Sequence, residues 1–390
     1  MNKKEINEIK RQFTEANCTL NRIRCCYVDY EKQKKTELNE AFLSLPQEET
    51  FKYFDIFQKA LSGTIGKNLL NMEFPLEQEQ EGGSQAFLLK LRQSRLEDDD
   101  LVNTFFDKVI ENYEYEENYY IILVHGAYDI PGRGSDGLDM FDASSEIYEH
   151  LLFCICPVKQ TKAGLFYNQV HNIFEDRAGD WYVDKPAIAF LFPLFQDRSS
   201  DIHGLLYYAA KPETQHAGFA QEVLGCTAPL SPAVQKEAFN ALVEETLGDE
   251  CSYDTVVAIQ EKIHEMIEAR KEEPDPVVLG KSDVRRVLEE CGVSNEKLGA
   301  FEEQYDLNAG EDTTLMASNI TNTRKMEVKM PDITVNVTPE KAMLLETAEI
   351  NGRTCLIIPL DADVAVNGIH VRNGSLAAFE PEDADSGNFE

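Results

Sequence analysis

A chain of 390 residues of which 43 % are apolar can bury more than one core, and this composition excludes an intrinsically disordered polypeptide. Its 37 Lys and Arg face 70 Asp and Glu, a formal net charge of −33. That excess repels phosphate backbones and anionic bilayers at long range, so it argues against a coat for duplex DNA or membrane and favours a protein or peptide partner.

The N-terminus, MNKKEINEIKRQF, is charged and amphipathic and lacks the apolar run of a signal peptide. No stretch reaches the roughly 18 consecutive apolar residues of a membrane helix. Nine cysteines, an odd number scattered along a long chain, read as reduced thiols, which together implies a cytoplasmic protein.

Ile6, Ile9 and Phe13 recur at helical spacing and predict an opening helix. Residues 22–28 (RIRCCYV) predict a strand, followed by a charged run ending at Lys34 and Lys35. A helix over 48–61 should stop at Gly63 and Gly66, which can take positive φ. The segment 77–83 (EQEQEGG) reads as a loop near a domain edge. Leu101, Phe105, Val109 and Ile110 form the apolar face of a helix starting near Asp99. Four apolar runs follow, at 119–125, 151–158, 187–195 and 204–209. Each has a strand's length, and their continuity predicts burial on both faces. The spacers carry no repeated helix, so a mixed or antiparallel sheet is expected instead of a doubly wound parallel one.

From Ser231 the pattern turns helical. Ser231 caps and Pro232 suits the first turn. Phe239, Leu242, Val243 and Leu247 supply a buried stripe ended by Gly248. Ser252 caps a second helix with the stripe Val256, Ile259, Ile263 and Met266. EEPDP at 272–276 reads as a linker, and two short helices at 283–291 and 295–305 are split by Gly292. Beyond, Met326, Val328 and Met330 alternate, as do Ile333, Val335 and Val337. Asn351-Gly352 and Asn367-Gly368 lie between apolar runs and predict hairpins. The expected fold is α+β: a mixed or antiparallel central sheet with helices, a helical segment and a small C-terminal antiparallel β unit. The expected divisions are an N-terminal α+β segment (1–98), a central sheet domain (99–228), a helical segment (229–310), a β-hairpin unit (320–374) and a disordered acidic tail (375–390).

Chemistry has three candidate places. Gly132 to Gly137 spells GxGxxG, but Pro131 intervenes after the strand and no strong helix follows, so a surface turn is preferred to a dinucleotide loop. Gly63, Gly66 and Lys67 lie in a GxxG loop. With a helix expected on each side, the helix–GxxG–helix layout approaches the KH loop that clamps a nucleic-acid backbone, giving a local RNA or ribosome contact; a plain helical corner explains the same residues. Between two apolar strands, Asp197, Asp201 and His203 could hold a divalent metal or act as acid and base, or else be ordinary turn residues. No other cofactor is expected. Cys154 and Cys156 share one strand face, and Cys25 and Cys26 point to opposite faces; buried small hydrophobes is the preferred reading. The helices around Gly292 resemble a helix-turn-helix in outline, but Glu296, Glu302 and Glu303 on the second one oppose DNA.

Three long phrases are distinctive: SGTIGKNLLNMEFPLEQEQEGG from Ser62, FLFPLFQDRSSDIHG from Phe190 and NGRTCLIIPLDADVAVNGIHVR from Asn351. On these phrases the chain, to about Arg372, resembles a bacterial family known only as a domain of unknown function, family 4317. The resemblance implies a bacterial, cytoplasmic protein and no activity, cofactor or site residue. The residues themselves lead to a binding or regulatory protein without a catalytic motif. The alternatives are a metal-assisted hydrolase using Asp197, Asp201 and His203, and an RNA contact through Gly63–Lys67.

Overall fold

Asn2 starts the first helix, α1 (Lys3–Lys10). Its Oδ1 accepts from the Lys4 and Glu5 amides while Glu5 accepts from the Asn2 amide, a closed capping box. The computed structural model to which this helix belongs describes residues 1–133, 139–177, 179–311, 313–359 and 364–371. The expected acidic tail 375–390 and Gly134 and Gly137 of the GxGxxG run lie outside the described residues; Gly132 pairs with Met140 inside a strand ladder.

Strand β1 (Leu20–Val28) pairs with β2 (Lys34–Ala41), so the charged run at Lys34 and Lys35 opens an edge strand, not a loop. An edge with an exposed face carries charge, which hides it from an apolar-pattern reading. Next come α2 (Gln47–Ala60), β3 (Leu69–Glu73), α3 (Ser84–Gln93) and α4 (Asp99–Asn112), the last capped by Asp98. The long strands β4 (Tyr119–Arg133) and β5 (Asp139–Gln160) follow. An exposed hairpin, β6 (Gly164–Asn168) and β7 (Ile173–Arg177), and the short β8 (Trp181–Val183) lead to β9 (Ile188–Phe192). Then come β10 (Leu194–Gln196), β11 (Ser199–Asp201), β12 (Gly204–Ala209) and the one-turn α5 (Ala217–Phe219).

The main sheet runs β2-β1-β4-β5-β9-β12-β3, with β8 on β5. Every pairing in it is antiparallel. It takes strands from both sides of residue 98. Side chains alternate across it with period 2. Ile121, Leu123, Leu151, Phe153, Phe190 and Tyr207 meet α3, α4 and the turn after α5 on one face. Ile122, Val124, Leu152, Cys154, Leu191 and Tyr208 meet α1 and α2 on the other. Helices on both faces explain why the central strands read as continuous apolar runs.

The helical segment has its own core. Ser231 Oγ accepts from the Val234 amide to start α6 (Pro232–Leu247), and Ser252 Oγ accepts from the Thr255 amide to start α7 (Tyr253–Ala269). A two-residue ladder, β13 (Val278–Leu279) with β14 (Leu315–Met316), ties its ends together around α8 (Lys281–Glu290) and α9 (Phe301–Asn308), and α10 (Ala317–Ile320) closes it. Phe239, Leu242, Ile259, Ile263, Leu288, Phe301 and Tyr305 fill the centre. The helix-turn-helix outline is thus a core hairpin, with Arg285 bridging Glu289 and Glu302 on its surface. Val256 departs from expectation: it stands 36 % exposed, off the buried stripe.

The C-terminal part is three separate hairpins: β15 (Met326–Lys329) with β16 (Thr334–Val337), β17 (Glu346–Ile350) with β18 (Arg353–Ile357), and β19 (Val364–Val366) with β20 (Ile369–Val371). Asn351 and Gly352 have φ of 52° and 71°, and Asn367 and Gly368 have 51° and 82°, so both Asn-Gly pairs turn through the left-handed region. Among the described residues no helix is long and apolar enough to cross a membrane.

Candidate functional site

Asp197 and Arg198, at φ of 50° and 58°, form the tight turn joining β10 to β11. The Asp197 amide donates to Glu5 Oε1 at 2.8 Å, and Arg198 donates to the Pro131 carbonyl at 2.8 Å. Asp201 Oδ1 accepts from the His203 amide at 3.0 Å, the local bond typical of turn aspartates. His203 is exposed, and its Nδ1 lies 2.7 Å from Glu79, which raises its pKa above the ordinary value. Among the described residues no three His, Cys, Asp or Glu side chains gather into a metal-holding group. The structure therefore does not bring Asp197, Asp201 and His203 together as ligands.

Gly63 and Gly66 do take positive φ, 127° and 81°. The chain then enters β3, so the layout is helix–turn–strand, and the expected helix after the loop is corrected. Asn68 Nδ2 reaches the Ala209 and Ala210 carbonyls at 3.1 and 3.3 Å, anchoring the turn to the end of β12. Gly66 is buried under Met316: a Cβ placed there would lie 2.4 Å from Met316 Cε. Asn319 Nδ2 donates to the Gly66 carbonyl at 3.0 Å and to Gln235 Oε1 at 3.2 Å, and that oxygen accepts from the Met316 amide at 2.8 Å. The loop holding Lys67 is the joint between sheet and helical segment, with Gly66 occupied by the chain itself. Gly66→Val forces a β-branched residue into positive φ against Met316, so a loss of about 2–3 kcal/mol is expected in urea denaturation. An unchanged midpoint would mean this joint is not closed.

Burial keeps the central thiols protonated: Cys25 and Cys26 are pushed up to about 12, and Cys154 and Cys156 are raised as well. Thiols raised in this way are poor nucleophiles. His125 on β4 and His150 on β5 are likewise inside. His125 Nδ1 sits 3.2 Å from Asn21 Nδ2, and the His150 ring stacks on Tyr148 at 4.9 Å. Among the described residues neither Nε2 has a hydrogen-bond partner.

Among the described residues, surface cavities include one small and one large. The smaller, about 220 Å³, is lined by Glu111, Tyr113, Glu114, His216, Phe219 and Glu222. The larger is an open groove of about 1040 Å³ between α6, α7 and β15. Lys236, Asn240 and Glu244 line it from α6, and Tyr253, Val256, Val257, Gln260, Glu261 and His264 line it from α7. Cys251, Ser252, Pro339 and residues 320–322 and 325–329 complete the wall. Among the described residues, the buried Tyr253 Oη and His264 Nδ1 have no hydrogen-bond partner. Burial, and then Glu265, hold the Glu261 carboxyl above the usual carboxylate range. Sequence reasoning missed this site. Its one signal was a second apolar pair on α7, Val256 and Val257, beyond what the core face needs.

A family model described as Domain of unknown function (DUF4317) matches residues 1–369. The search of curated proteins found no match.

Proposed function

From a chain that belongs to the DUF4317 family, whose description assigns no activity, we propose a binding or regulatory protein that holds a segment of a protein partner in the groove between α6, α7 and β15. One observation carries this reading. Two helices and a strand wall an open slot lined by the exposed Val256 and by Val257, apolar surface that the core of the helical segment does not use. Apolar surface left in a concave slot marks a binding site. The groove volume of about 1040 Å³ stands at the top of the range for small-molecule sites, and its open form suits a stretch of chain. Nine free thiols fit a cytoplasmic setting.

The test is affinity capture from native cells on the full chain, with Val256→Arg as control. Val256 is exposed, so the variant should melt at the same temperature while its bound partner falls at least about tenfold, the effect of burying an unpaired charge in an interface. Equal capture by both chains would place the partner elsewhere. Stoichiometric metal in the same sample would favour the hydrolase alternative at Asp197, Asp201 and His203, and co-purified nucleic acid would favour the contact at Gly63–Lys67.

A further inference from the structure

Resting on the groove reading above, we infer that the ligand is an extended peptide bearing a basic side chain, which adds as a strand to the edge of β15 that is unpaired among the described residues and places its basic group at Glu261. A strand that shows a face to a cavity presents alternate residues. Here five consecutive residues, Lys325 to Lys329, line the groove, and none of β16 does. The strand therefore meets the groove edge-on, along the edge away from β16.

The ladder fixes which backbone groups lie on that edge. The Met330 amide donates to the Ile333 carbonyl at 2.8 Å and the Ile333 amide to the Met330 carbonyl at 3.4 Å, so this pair exchanges both bonds. The register continues Lys329 opposite Thr334, Val328 opposite Val335 and Glu327 opposite Asn336. Bonded and non-bonded pairs alternate in an antiparallel ladder. Val328 and Met326 thus turn their N–H and C=O toward β16, and Glu327 and Lys329 turn theirs toward the groove. The facing stretch of α7, Tyr253 to His264, is about 16 Å long at 1.5 Å per residue, the span of about five residues of extended chain. A strand edge and a helix flanking an open slot is the geometry of peptide recognition by strand addition.

Charge selects the peptide. Six lysines and glutamates line the groove. Five of them are exposed, and Lys325 is already paired with Glu327 at 3.3 Å. Glu261 alone is half-buried, and no ion pair reaches it among the described residues. A charge removed from water acts more strongly than exposed ones, so Glu261 dominates, and a cation is its complement. The net charge of −33 draws the same kind of ligand.

The probe is an acetylated, amidated hexapeptide alternating valine with threonine around one central arginine, carrying a fluorophore and titrated with the full chain by anisotropy. Glu327→Pro removes an outward N–H, which an edge strand tolerates, and should weaken binding about tenfold. Glu327→Ala keeps the N–H and should bind several-fold more tightly than Glu327→Pro. Glu261→Gln should weaken the arginine peptide about fivefold to tenfold and leave a glutamine-substituted peptide unchanged. Equal binding by the proline variant and the parent overturns strand addition, and equal loss of both peptides in Glu261→Gln overturns the basic-residue assignment. No binding of the hexapeptide to the parent overturns the inference as a whole. The partner-capture result with Val256→Arg judges the groove itself, so the two failures are told apart.

Discussion

Phe153→Ala is expected to destabilise the fold by about 3–5 kcal/mol in urea denaturation, the largest effect of any single truncation considered. Phe153 lies on β5 near the middle of the main sheet and is fully buried. Its ring meets Phe105 of α4 at 5.4 Å, Phe190 of β9 at 4.9 Å and Phe219 of α5 at 5.9 Å. Those partners come from three elements, each held by its own hydrogen bonds, so they cannot collapse together to fill the vacated volume. The cost therefore contains both the lost transfer of a phenyl ring and an unfilled cavity. Phe166, exposed on the β6–β7 hairpin, is the control: Phe166→Ala should change stability by no more than about 0.5 kcal/mol. A loss under about 1 kcal/mol for Phe153→Ala would mean that helices do not cover this face as drawn.

The same burial explains what could be read beforehand. The stretches 119–125 of β4 and 151–158 of β5, with β9 and β12, are apolar because helices cover both faces, and the absence of helical spacers pointed to antiparallel neighbours. Caps at Ser231 and Ser252 and turns at Asn351-Gly352 and Asn367-Gly368 were legible because their chemistry is local. What escaped depended on distant partners. Strand β2 escaped because only its pairing with β1, not its own charged residues, makes it a strand. The role of Gly66 escaped because Met316 and Asn319, some 250 residues away, determine it. Asp197, Asp201 and His203 are near in sequence, but the bonds of their turn were not legible: the Asp197 amide donates to Glu5, Asp201 accepts from a local amide and His203 meets Glu79. The groove had no motif to betray it. It forms where one helix, α7, is left partly uncovered opposite a strand 60 residues further along the chain.

Lowering the pH from 8 to 5 should remove about 4 kcal/mol of stability through two histidines alone. Gly126 makes room for the His150 ring: a Cβ at that position would lie 2.7 Å from the ring's Cε1 and Nε2. The ring packs over Gly126 and is fully buried, and burial lowers His150 from 6.5 to about 3 and His125 to about 4. Both are neutral in the folded and unfolded chain above pH 6.5, and their contribution is then complete. As pH falls below 6.5 the unfolded chain binds protons that the folded chain refuses, so stability decreases with falling pH until the folded values near 4 and 3 are reached. At pH 5 each unfolded imidazole is about 1.5 units below its own pKa, which gives about 2 kcal/mol per histidine. His216, also lowered by burial, adds in the same direction. His203, raised by Glu79, acts oppositely, but it is exposed and screened, so its effect is small. Most carboxylates titrate below this window, and the Met1 amine, lowered by burial, adds in the same direction as the histidines. Urea denaturation at pH 8, 6 and 5 measures the slope, and His150→Phe, which cannot titrate, should flatten it by about half. A wild-type stability that stays level between pH 8 and pH 5, or a variant with an unaltered slope, would show that these imidazoles take up protons in the folded chain and are not sealed between the sheet and its helices.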